Sequence, residues 1–282
     1  MILYYAIGGG LGHLCRTRAV INTLHLQVKE IVILTASPYA SAVFKEEKIV
    51  NIPANYQDKT SALRGFINEL IQIHHITKIY LDTFPAGIVG EFNMPFTDKI
   101  EIIYIARLLN WNNYSKLIHE QLFNFQRTYV IEPLTSKHNQ FIEKFSEISM
   151  ELELVYPEGS INSKNLNLLA TFKNPPWIIV HSGPFDELRL IYQHATETAQ
   201  IEGKNPEFLI ISQIDEKIDD QNAIQIKHFP ASVFFPYAEK IFTACGFNIM
   251  YETRRYADKH YFIPFKRKFD DQFARALLRK NK

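Results

Sequence analysis

Residues 2–7, Ile-Leu-Tyr-Tyr-Ala-Ile, run without a break into Gly8-Gly9-Gly10-Leu11-Gly12-His13, and a helix-forming stretch follows from about Leu14. A run of β-formers that stops on glycines and resumes as a helix leaves few folds open. Glycines let the chain turn tightly and bring backbone close to a ligand. The helix start behind them offers unpaired N–H groups to an anion. Two common uses of such a turn are excluded by its neighbours. A phosphate-binding P-loop needs Lys-Ser or Lys-Thr after its last glycine, where this chain has His13-Leu14. A dinucleotide site needs an acid at the end of the second strand, and that strand ends Leu34-Thr35-Ala36-Ser37.

The rest of the chain repeats the alternation. Strands are predicted at 2–7, 31–35, 78–82, 101–106 and 128–132, and again at 177–181, 207–212, 223–227, 240–244 and 260–264. Amphipathic stretches separate most of them; over 61–75, Leu63, Phe66, Leu70 and Ile73 recur at helical spacing. Such alternation predicts parallel sheets with helices on both faces. Residues 157–176 are rich in asparagine, serine and proline and read as a break, with 161–176 as the linker. The expected fold is therefore α/β. It comprises two Rossmann-like parallel-sheet domains, 1–160 and 177–282, facing across a cleft. In such sheets ligands lie beyond the carboxyl ends of the strands, so the informative residues should follow strands.

Composition excludes several classes. Lysine and arginine number 31 against 30 acids, so no nucleic-acid partner is expected. Two cysteines, Cys15 and Cys245, are too few for a disulfide scaffold and point to a reducing compartment. The start lacks the features of a secretion signal, and no apolar run reaches the roughly 18–20 residues that span a bilayer. A cytoplasmic protein is expected, with peripheral membrane contact left open and the oligomeric state unspecified.

Gly-Leu-Gly-His followed by Arg16 and Arg18 resembles the first loop of GT-B glycosyltransferases, in particular the MurG-like transferases and a family of predicted bacterial glycosyltransferases. The stretch Asp82-Thr83-Phe84-Pro85-Ala86-Gly87-Ile88-Val89-Gly90-Glu91-Phe92 is similar to that family's Asp-x-Phe-Pro-x-Gly-x-x-Gly-Glu-Leu, with phenylalanine where leucine is usual. The resemblance implies that His13 is the catalytic base. An imidazole can take a proton from a hydroxyl or from water near neutral pH. Asp82 would orient it. Arg16 and Glu91 are candidate acceptor-binding groups. The competing readings are that His13 and Asp82 merely cap local structure, that Arg16 is a solvated first-turn arginine, and that Glu91 is a helix-start acid. Arg107 reads as a surface arginine, and His74-His75 as a helix C-terminus, not a metal site.

In the second half, Thr243-Ala244-Cys245-Gly246-Phe247-Asn248, then Glu252, a strand ending Pro264, and Asp271-Gln272 resemble the donor signature of MurG-like and UDP-glycosyltransferase-like proteins. The resemblance implies a nucleotide-sugar donor, expected to be UDP-linked. Glu252 would hold the ribose hydroxyls, Asp271 and Gln272 the sugar, and Gly10, Gly12, Ser182, Gly183, Gly246, Phe247 and Asn248 the remainder. The glycine–glycine–serine loop usual after the domain's first strand is reduced here to Ser182-Gly183. Phe234 and Phe235 are read as core. No Asp-x-Asp motif occurs, so no metal is expected and no cofactor beyond the donor. The expected function is transfer of a sugar to an unidentified acceptor hydroxyl. A nucleotide-sugar hydrolase or epimerase, or a non-catalytic GT-B module, are the alternatives.

Overall fold

The computed structural model describes residues 1–94, 96, 99–119, 124–157 and 159–280. The chain forms two compact units, Met1–Pro157 with Lys268–Asp271, and Glu158–Arg267 with Gln272–Lys282.

The first unit is built on seven parallel strands: β1 (Ile2–Ala6), β2 (Ile31–Thr35), β3 (Lys48–Asn51), β4 (Lys78–Asp82), β5 (Glu101–Ala106), β6 (Arg127–Val130) and β7 (Ser149–Glu151). Their spatial order is β3-β2-β1-β4-β5-β6-β7. Helices α1 (Leu11–Thr23), α2 (Ala40–Val43), α3 (Thr60–Ile73), α4 (Trp111–Tyr114) and α5 (Ser136–Phe145) lie between them in sequence. Every residue of β2 is buried, as a strand covered on both faces requires. Each such Ile or Leu contributes roughly 1.5–3 kcal/mol by leaving water. In α3 the buried stripe is Leu63, Ile67, Leu70 and Ile71, whereas Ile73, expected on it, is 66% exposed in the last turn. The chain leaves this helix through His75 at φ 48°, so His74-His75 is its exit.

The second unit has five parallel strands, β8 (Trp177–Val180), β9 (Phe208–Ile211), β10 (Ala223–Ile226), β11 (Lys240–Ala244) and β12 (His260–Ile263), in the order β10-β9-β8-β11-β12. Its helices are α6 (Ser163–Leu169), α7 (Phe185–Ile201), α8 (Phe247–Glu252) and α9 (Gln272–Lys280). Phe234 and Phe235 are fully buried in its core.

The expected linker 161–176 is corrected. Its asparagines are helix chemistry: Asn162 Oδ1 accepts the Asn165 N–H at 2.9 Å and starts α6. Leu168, Leu169 and Phe172 then pack with Ile178 and Leu209 of the second sheet. Near the other end, Lys268–Asp271 belongs to the first unit. The Asn110 N–H donates to the Phe269 carbonyl at 2.7 Å, and Phe269 packs edge-on against Phe84 and Tyr114.

In both sheets the strand order reverses beside the first strand, between β1 and β4 and between β8 and β11. Ligand sites of open α/β sheets lie beyond the carboxyl ends of the strands at such switch points. The residues there are Gly8–His13 and Asp82 in the first unit, and His181–Gly183 and Cys245–Gly246 in the second.

Candidate functional site

At the first switch point α1 opens on Gly10, whose backbone is extended and which carries no side-chain cap. Gly12 is the second residue of that helix and His13 the third. Nothing lies within 4 Å of where a Cβ at Gly9 or Gly10 would sit, so the loop is open there. Gly8 is the glycine the site needs. A Cβ on it would lie 2.4 Å from His13 Cδ2, so its missing side chain is the space the imidazole occupies.

Asp82 closes β4 and is wholly buried. It takes His13 Nδ1 on Oδ2 at 2.5 Å, Arg16 Nε on Oδ1 at 2.6 Å and Arg16 Nη2 on Oδ2 at 2.7 Å. A carboxylate held by a bidentate arginine stays ionised. Burial pushes the Asp82 carboxyl up, but Arg16 and His13 outweigh it and hold it at about 2. An ionised Asp82 accepts the Nδ1–H of His13, which leaves Nε2 as the lone-pair nitrogen. Burial is also the largest influence on His13 and lowers its pKa against the opposing pull of Asp82, so the ring is neutral at pH 7. Its side chain keeps 16% of its surface exposed.

The backbone beside Asp82 is strained. Thr83 has φ 71°, which a β-branched residue avoids. It is held by its N–H to the Ile105 carbonyl (3.0 Å) and by the Tyr104 hydroxyl, which donates to its carbonyl at 3.1 Å. Tyr104 also lies 2.9 Å from His138 Nε2. Strain of this kind costs of order 1–3 kcal/mol and gathers at functional sites.

Three sequence expectations in this unit are corrected. Arg16 is 2% exposed and committed to Asp82, so it positions the carboxylate instead of meeting an acceptor. Glu91 is 1% exposed. It accepts from the Tyr5 hydroxyl and from the N–H groups of Ile88 (3.0 Å) and Val89 (2.9 Å). Its carboxyl fills the space above Gly87 (φ 81°), where a Cβ would lie 2.1 Å from Glu91 Cδ. Glu91 therefore shapes the 84–91 turn and is no acceptor ligand. Arg107, expected on the surface, is buried and ion-paired with Asp270 of the returning segment.

In the second unit the residue directly after β8 is His181, 7% exposed, with Nε2 3.1 Å from Glu187 Oε2 but misaligned for a hydrogen bond. Arg267 Nη1 and Nη2 both donate to Glu187. Gly183 makes room for this group, since a Cβ there would lie 2.7 Å from His181 Nε2. Ser182 beside it is half-buried. Burial lowers the His181 pKa to about 4. His181, Glu187 and Arg267 fall in no sequence motif. Their only signal is position, a histidine at a strand end and an acid in the next helical turn.

Gly246 is the N-cap of α8 with an extended backbone, and the nearest atom to a Cβ there is Ile249 Cγ2 at 3.9 Å. The fold itself does not demand this glycine. Asn248 is half-buried in the first turn. Phe247 is corrected: it is buried, with Arg275 5.9 Å from its ring centroid, so its side chain is core. Glu252, half-buried on the same helix, has its pKa raised to about 7 by burial, which the hydrogen bond with Ser232 only partly offsets. The expected Asp271–Gln272 pair is divided. Asp271 belongs to the first unit, while buried Gln272 belongs to the second, its Oε1 accepting the Phe265 N–H at 3.0 Å. Gln272 thus ties the 264–267 loop to α9. Among the described residues no group of His, Cys, Asp or Glu is arranged to hold a metal ion.

No family model matches the chain, and no curated protein matches it. Solved structures do. The spinosyn forosaminyltransferase SpnP is 9% identical with a TM-score of 0.64, over 99% of this chain and 83% of that one. The spinosyn rhamnosyltransferase SpnG complexed with thymidine diphosphate is 11% identical with a TM-score of 0.57, over 94% and 81%. The UDP-GlcNAc 2-epimerase of Methanocaldococcus jannaschii is 10% identical with a TM-score of 0.52, over 100% and 92%. At these identities the likeness speaks for architecture: the chain has the two-sheet α/β fold of GT-B glycosyltransferases.

Proposed function

We propose that the protein transfers a glycosyl group from a nucleoside-diphosphate sugar to an acceptor hydroxyl, with His13 as general base. The observation that carries this reading is the His13–Asp82–Arg16 cluster. Arg16 keeps Asp82 ionised, Asp82 fixes the ring and its tautomer, and Nε2 is left as a base in a neutral imidazole. In the proposed step the acceptor oxygen attacks the anomeric carbon while Nε2 takes the hydroxyl proton. The bond to the nucleoside diphosphate breaks, and that group leaves with the electron pair. Asp82 stabilises the imidazolium that forms.

The donor is assigned to the second unit. Ser182, Gly183, Gly246 and Asn248 follow the carboxyl ends of its strands, and at Gly246 backbone approach to a diphosphate is sterically open. Glu252 is suited to accept the two ribose hydroxyls, and a carboxylate is the group that can take both. Gly10 and Gly12 complete the loop that carries the base. The rhamnosyltransferase complexed with thymidine diphosphate and the UDP-GlcNAc epimerase among the structural neighbours are consistent with a nucleotide-sugar ligand.

Thermal-shift measurements across UDP-, TDP-, GDP- and CMP-sugars test the donor assignment. At least one should stabilise the protein, and stabilisation by none sinks the reading. With that donor, product analysis identifies the chemistry. A glycoside supports transfer, while free sugar or an epimer assigns the same base to water or to a sugar carbon.

A further inference from the structure

Helix α9 is amphipathic in the wrong sense for a helix that merely packs on a core. It buries Gln272, Arg275 and Ala276 and turns Phe273 (53% exposed), Leu277 (63%) and Leu278 (38%) outward. The inward polar groups are anchors. Arg275 Nη1 donates to the Cys245 carbonyl at 2.9 Å, Arg279 Nη2 donates to the Thr253 carbonyl at 2.9 Å, and Gln272 holds the Phe265 N–H. Three attachments along nine residues fix which face points out. Phe273, Leu277 and exposed Lys280 follow one another at i, i+4 and i+7, so they form one stripe.

The charge around this stripe is one-sided. The second-unit residues 254–267 and 272–280 expose four cations, Arg254, Arg255, Lys266 and Lys280, and one acid, Asp258, in a chain whose totals nearly balance. Arg279 brings the exposed Arg254-Arg255 pair beside the last turn through its bond to Thr253, and the positive charge of Arg254 is felt at Arg279. At the first turn, the bond between Phe265 and Gln272 places exposed Lys266 next to the helix.

From this pairing of an outward apolar stripe with flanking cations we infer that α9 is a docking face for an anionic lipid bilayer surface. The occupant follows from elimination. A second copy would bring the same cations against themselves. Nucleic acid would answer the cations but leave Phe273 and Leu277 without partners. An anionic bilayer answers both, taking the apolar side chains at the acyl boundary and the cations among the headgroups. The attachment lies along the surface, since no helix among the described residues is long and apolar enough to cross a membrane.

The full chain should co-sediment with vesicles of phosphatidylcholine containing about 30% phosphatidylglycerol at low ionic strength, and not with pure phosphatidylcholine. The double variant Phe273→Ser/Leu277→Ser alters only exposed side chains. It should keep the wild-type circular dichroism and melting temperature while its vesicle partitioning falls roughly tenfold or more. Lys280→Glu with Arg255→Glu should reduce binding to the anionic vesicles further than salt alone does. Three results overturn the inference: no binding of wild type to the anionic vesicles, binding that survives Phe273→Ser/Leu277→Ser, or a solution dimer abolished by that variant, which would make the face an interface between copies. None of these measurements depends on sugar transfer, so they stand or fall apart from the proposed activity.

Discussion

Each unit carries a histidine, a carboxylate and an arginine at the carboxyl end of its sheet, and the two clusters are built for different work. In the first, the carboxylate is central: Asp82 at a strand end receives both His13 and Arg16 in good geometry and is fully buried. In the second, Glu187 sits in the first turn of α7. It is chelated by an Arg267 that is about one-third exposed, while His181 points past it. Both rings are neutral, His181 with a pKa near 4. The same three residue types therefore give an oriented, neutral imidazole in one place and a loop clamp in the other. What separates them is which group the carboxylate grips.

The largest expected effect separates the two histidines. His13→Ala should lower kcat by about 10²–10⁴, the usual worth of a positioned base, while His181→Ala changes it only a few fold. Initial rates of nucleoside-diphosphate release measure both, and equal losses would erase the distinction. Asp82→Asn sharpens it. Asp82 raises the His13 pKa against burial, so the variant should lose rate and shift the acid limb of its pH profile to lower pH. A carboxylate that only caps the strand would leave the limb in place.

Removing the arginines gives the next effect, on stability. Arg16→Met strands a buried, ionised Asp82 and should cost about 3–5 kcal/mol. Arg267→Met frees a carboxylate that can reach water, and the screened pair should be worth about 1 kcal/mol or less. Urea denaturation of the two variants at pH 7 is the measurement. Similar losses would mean that burial, on which the comparison rests, does not govern these pairs.

The first cluster was legible in sequence because both ends of it follow strands. Gly8–His13 and Asp82 are read from glycine after a β-run and from an acid at a strand end. The partners of those residues were not legible. Arg16 and Glu91 both look like surface charges, and only the three-dimensional contacts show that Asp82 takes the first and that Tyr5 with the 88–89 backbone takes the second. The strands missed, β3 and β7, lie at the edges of their sheet, where exposed residues carry no buried periodicity. The supposed linker misled for a related reason. Asn162 caps α6, and a cap and a loop draw on the same residues.

Glu252 extends the comparison to a carboxylate without an arginine clamp, and it should respond to pH in the opposite sense from Asp82. Asp82, depressed to about 2, contributes stability that is present above the ordinary aspartate range and is lost as pH falls toward 2. Glu252 is raised from 4.5 to about 7, so its contribution is complete below 4.5 and is lost as pH rises through 7. Glu252→Gln should therefore gain on wild type between pH 5 and pH 8, by roughly 1–2 kcal/mol at the upper end, and thermal melts across that range read the gain. Ligand binding runs the other way. Ribose hydroxyls need an ionised acceptor, so nucleotide affinity in the wild type should rise with pH through 7, and in Glu252→Gln it should be weak and flat. A stability difference that does not change with pH would mean that Glu252 is ionised throughout. A wild-type affinity that is flat as well would remove Glu252 from the donor site.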